Sequence, residues 1–144
     1  MSEKPLKKAI SLIFKEGDKV WVFKRSLQKE VHPGAWSLPS TYIHEDEKVT
    51  ETAQRVVKRK LGLQSVSLQS EPLGVSPVVE KDTYYLQMAD YIVMSYEGIL
   101  TFDAEEYTQQ RLVTAMELLS LINDENEGEM GECTRTYLKS EGVI

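Results

Sequence analysis

Arg55, Lys58, Arg59 and Lys60 crowd into one short stretch of a chain whose net charge is −6. Arginine takes a phosphate through a rigid fork of donors, and lysine does so as a compact point charge. A basic cluster in an acidic protein is a candidate phosphate site. Its members would be Arg55, Arg59 and Lys60, with Arg25 further off. The plainer alternative is a solvated helix face whose cations suit the negative end of the helix dipole. Acids flank the same stretch: Glu45, Asp46, Glu47 and Glu51 before it, Glu105 and Glu106 well after it. Hard cations such as magnesium need oxygen ligands. Glu47, Glu51 and Glu105 are therefore candidate metal ligands, and Glu47 and Glu106 candidate catalytic groups. The plainer alternatives are an exposed acidic turn for Glu45 to Glu47 and a first-turn helix charge for Glu51.

These residues need a scaffold, and the apolar pattern supplies one. Val49, Ala53, Val56, Val57 and Leu61 share one face of a 3.6-residue helix, which Gly62 would end. Before it, residues 9–14 and 20–23 read as two strands around a turn at Gly17-Asp18, followed by a polar loop over 26–35. After it, strand character runs over 66–79, and a long central strand over 82–96. Residues 99–102 are expected to pair back. Thr114 and Glu117 form a capping box opening a helix through about Ile122. A loop over 123–132 and a last helix over 133–140 follow. This order predicts an α/β (α+β) fold with a mixed sheet between helices, one domain over residues 1–144.

The stretch Gly34-Ala35-Trp36-Ser37-Leu38-Pro39 and the residues after it resemble the lead-in to, and the span of, the Nudix (MutT-like) box. The family pattern is a glycine, five residues, a glutamate and seven residues, then Arg-Glu-aliphatic-any-Glu-Glu-any-Gly-aliphatic. It starts here at Thr41 and ends at Leu63 without a gap. Glu47, Arg55, Val57, Gly62 and Leu63 match; Thr41, Val56, Arg59 and Lys60 do not. The resemblance implies a hydrolase of nucleoside diphosphates linked to another group. Its cofactor would be Mg2+ or Mn2+, held by box glutamates. Here those places hold Val56, Arg59 and Lys60, so three negative charges become two positive ones. Hydrolysis of a diphosphate relies on metal ions to neutralise the phosphoryl oxygens. A degenerate box therefore leaves a second function open: an inactive module that binds a nucleotide, another phosphorylated ligand or a protein partner. Restoring glutamate at the three positions is expected to restore manganese binding if only the ligands were lost.

Composition narrows the partners. With 17 basic and 23 acidic residues, the global field opposes nucleic acid; the ligand the resemblance implies is a small nucleotide or other diphosphate compound. Trp36, Tyr42, Tyr84 and Tyr85 are available to stack on a base, although strand aromatics more often fill a core. His32 and His44 read as exposed loop residues. The single cysteine, Cys133, reads as a packing residue that can form no internal disulfide, as suits a reducing cytoplasm. No apolar stretch approaches the roughly 20 residues needed to cross a bilayer. A homodimer is an open alternative.

Overall fold

The alternating apolar residues at 9–14 explain the architecture best, because they feed two cores at once. In the computed structural model, which describes residues 3–144, they lie in strand β1 (Leu6–Ile13) and just beyond it. Successive strand side chains point to opposite faces. Ala9 and Ile13 enter one buried cluster, while Ile10, Leu12 and Phe14 enter the other.

The order continues with β2 (Lys15–Glu16), β3 (Lys19–Arg25), β4 (Trp36–Ser37), β5 (Ser40–Tyr42) and helix α1 (Val49–Lys60). Then come β6 (Ser65–Leu68), β7 (Gly74–Val75), β8 (Val79–Glu80), β9 (Tyr85–Glu97), β10 (Tyr107–Thr114), α2 (Ala115–Asn126) and α3 (Glu132–Ser140). Among the described residues, one sheet runs β5-β1-β9-β6, with β7 and β8 also pairing with β9. Its centre is the parallel pair of β1 and β9, aligned so that Ser11 faces Asp90. The second sheet is antiparallel, β10-β3-β2, with β4 on β3. α1 closes one side through Ala53, Val56 and Val57. α2 and α3 close the other through Leu118, Ile122, Tyr137 and Leu138. The fold is thus mixed α+β, with sheets between helices. No helix among the described residues is long and apolar enough to cross a membrane.

Three local expectations change. The hairpin at Gly17-Asp18 joins β2 to β3, not residues 9–14 to β3; β1 belongs to the other sheet. Residues 99–102 form no strand. Instead they cover the C-terminal end of α1: the Thr101 and Asp103 amides donate to the carbonyls of Leu61 and Lys60, which a helix end leaves without partners. Finally, α2 runs to Asn126, because Glu125 and Asn126 make tertiary hydrogen bonds to Trp36, Lys24 and Gly34.

Gly62 ends α1 as its position suggests. Its φ is +67°, and a Cβ there would sit 3.1 Å from the Thr101 carbonyl oxygen. Gly62→Ala combines an unfavourable backbone region with that contact. It is expected to cost about 1–2 kcal/mol in chemical denaturation.

Candidate functional site

A cleft of about 340 Å3 opens where the two sheets meet the end of α1. Its floor is apolar: Ala9 from β1, Leu86 and Met88 from β9. Its charged lining is mostly basic. Arg25, Lys60 and Lys81 face it against one acid, Glu132. That local excess runs against the chain's net charge of −6.

Lys60 enters the cleft because it lies one helical turn after Val56, on the buried side of α1. Its Nζ donates to the Ser40 carbonyl at 2.8 Å and lies 3.7 Å from Glu106 Oε2. Burial pushes the ammonium below the ordinary lysine range, partly offset by the Glu106 charge. Glu106 is itself ion-paired with Lys29. Burial would raise its carboxyl, but the Lys29 hydrogen bond and the charges of Lys60, Lys29 and Arg25 outweigh that and lower it.

The other basic candidates separate from Lys60. Arg55 is occupied by a clamp on the loop before α1. Its Nε and Nη2 donate to Glu47 at 3.1 and 2.9 Å, and Nη2 also donates to the Tyr42 carbonyl at 2.7 Å. Glu47 accepts further from Thr52 Oγ1 and the His44 amide. The Arg55 guanidinium, then those two donors, hold the Glu47 carboxyl well below the usual carboxylate range. Arg59 is exposed and lies outside the cleft.

The acids do not converge either. Glu51 accepts the Lys48 amide at 3.0 Å and caps α1. Glu105 is exposed. Val56, at a position where the box pattern carries glutamate, is 1 % exposed inside a hydrophobic core. Among the described residues, no three His, Cys, Asp or Glu side chains gather in a metal-holding group. The donor set does not fit the divalent cation that the box implies: one position is apolar, one faces solvent, and one presents a cation. Of the other candidate acids, Glu47, Glu51 and Glu106 are engaged by Arg55, the Lys48 amide and Lys29, and Glu105 stands apart on the surface.

The aromatics divide in the same way. Tyr42 and Tyr84 meet at the cleft, with hydroxyls 2.9 Å apart and rings edge to face. Lys7 Nζ lies 4.7 Å from the Tyr84 ring centre. Trp36 is core, and Tyr85 lies outside the cleft. His44 is exposed, but His32 is half-buried, lines the cleft and sits 2.8 Å from Glu129. Cys133 is buried, as a packing residue should be, and forms part of the inner wall. Lys29 and Lys81 were not singled out from the sequence. Neither stands in a pattern; each reaches the site only because the fold returns its loop there.

A family model for the NUDIX domain matches residues 5–132, and the chain belongs to that family. No curated protein matches it significantly. Among solved structures, it is similar to the Escherichia coli ORF135 protein, with a TM-score of 0.76 at 15% identity over 97% of this chain and 91% of that one. It is also similar to a MutT protein from Methanosarcina mazei Go1, with a TM-score of 0.72 at 16% identity over 97% and 93%. The NUDIX domain of Shewanella oneidensis NrtR, solved in complex with ADP ribose, has a TM-score of 0.63 at 16% identity over 99% and 88%.

Proposed function

We propose that this NUDIX-family chain binds a phosphorylated small molecule, of nucleotide or other diphosphate type, without a divalent cation. One observation carries this reading: a half-buried ammonium, Lys60, faces the cleft from a box position where the family pattern places a glutamate. An ammonium can neutralise phosphate oxygens directly, and Arg25 adds a forked donor set beside it. The apolar floor and the Tyr42–Tyr84 pair suit a flat heterocycle at the other end of such a ligand. The ADP ribose bound by the NrtR domain makes that compound the first probe. The buried thiol of Cys133 accords with a reducing, cytoplasmic setting. The alternative, a pyrophosphohydrolase, has family membership in its favour. It would need a metal site that the cleft's side chains do not offer.

The test is calorimetric titration of ADP-ribose with EDTA present, alongside a phosphate-release assay with Mg2+ or Mn2+. Binding in EDTA with no release is the expected result. Lys60→Met should weaken that binding by about tenfold or more, the size of one charge-assisted contact. Metal-dependent release abolished by Glu106→Gln would establish the hydrolase instead.

A further inference from the structure

Among the described residues, Glu106 is the acid paired with the cations Lys29 and Lys60. Its Oε2 is shielded from solvent and is shared between two ammonium groups: Lys29, in direct ion pair, and Lys60 at 3.7 Å. Its position is fixed by the backbone, because the Ser26 amide donates to the Glu106 carbonyl and Tyr107 pairs with Arg25. Lys60 lines the cleft, while Glu106 and Lys29 stand behind it. An ammonium has three donors. The Ser40 carbonyl takes one, and the Glu106 carboxylate lies 3.7 Å away as an ion pair, so a ligand phosphate would meet an ammonium already partly neutralised.

We infer that Glu106 is a built-in counter-anion: it competes with the ligand's phosphate for Lys60, and Lys29 limits that competition by holding the carboxylate away. This rests on the reading of the cleft as an anion site and names what regulates its strength. It is also a positioning role, since neither Glu106 nor Lys29 lines the cleft. The two partners of one ion pair should then act in opposite directions. Losing the Glu106 charge strengthens phosphate binding. Losing the Lys29 charge leaves the carboxylate wholly to Lys60 and weakens it. A merely structural ion pair would weaken binding whichever partner was lost.

The experiment is titration of ADP-ribose and inorganic pyrophosphate into wild type, Glu106→Gln, Lys29→Met and the double variant, in EDTA at low salt. Thermal melts confirm folding. Glu106→Gln is expected to bind both probes about tenfold more tightly, and Lys29→Met about tenfold more weakly. In the Glu106→Gln background, Lys29→Met should change little, because Lys29 acts through the carboxylate. Raising salt should shrink each difference. Unchanged or weaker binding by folded Glu106→Gln overturns the inference, as does an equal effect of Lys29→Met in both backgrounds. Should Glu106→Gln fail to fold, Lys29→Met decides alone, and unaltered or tighter binding overturns it. Wild-type binding that Lys60→Met abolishes but these variants leave untouched defeats the inference and spares the reading. No binding by any form defeats both.

Discussion

Asp90→Asn is expected to make the protein more stable at pH 8, by about 2 kcal/mol, and to remove most of its stability change between pH 5 and pH 8. Asp90 has no exposed surface. Its Oδ1 accepts the Ser11 hydroxyl at 2.5 Å, and its Oδ2 has no protein partner. Burial pushes the carboxyl up to about 7, against the weaker opposing pull of Ser11. An unfolded aspartate titrates near 4. The folded state therefore holds this proton more tightly than the unfolded one. The stability it contributes is complete below about pH 4 and is lost as pH rises through about 7. Three pH units of difference correspond to roughly 4 kcal/mol. The amide of asparagine avoids that loss but leaves its own NH2 short of a partner, which halves the gain. The carboxylates held low, such as Glu125 and Glu141, act in the opposite sense and in a lower window, below pH 4.5. Denaturation curves at pH 5, 6.5 and 8 for both proteins measure the effect, and parallel pH dependence would refute it. What the acid provides in return is register. Ser11 and Asp90 are direct partners across the parallel pair at the centre of the sheet, and a slipped alignment would leave both buried and unpaired.

That pair shows where sequence reading stops. The apolar stripe of α1, the capping box of Thr114 and Glu117, and the long strand before Glu97 are local patterns, and each element is there, although α2 runs past Ile122 to Asn126 and the strand starts only at Tyr85. Residues 99–102 carried a local strand signal but form no strand, because α1's open carbonyls claimed Thr101 and Asp103. The basic cluster shows a similar limit. Helical spacing alone sets Arg59 one turn after Arg55, and Lys60 one turn after Val56. It cannot say that the Glu47 carboxylate takes up Arg55, nor that Lys29 arrives beside Glu106 from a separate loop. Charge is legible in a sequence, but which charge is already spent on another residue is a property of the fold.

Val56→Glu is the change that the box pattern asks for and the fold resists. Val56 packs in the cluster that holds Ile10, Leu12, Phe23 and Tyr107. A carboxylate placed there must lose its hydration, and an unpaired buried charge costs about 3–5 kcal/mol. The nearest cation one turn on, Lys60, already serves the Ser40 carbonyl and Glu106. Val56→Ala, which only leaves a small cavity, should cost about half as much. The consequence reaches the metal question. Restoring glutamate at 56, 59 and 60 together is expected to lower the melting temperature sharply and to give no tight manganese binding. Arg59→Glu with Lys60→Glu, which spares the core, should stay folded. Melting curves with and without manganese separate the cases. A triple variant that melts near wild type and is further stabilised by manganese would mean that the side chain at 56 can turn from the core into the cleft. Failure of the triple where the double survives would mean that the site of the box pattern is excluded by packing, and not only by the charges of Arg59 and Lys60.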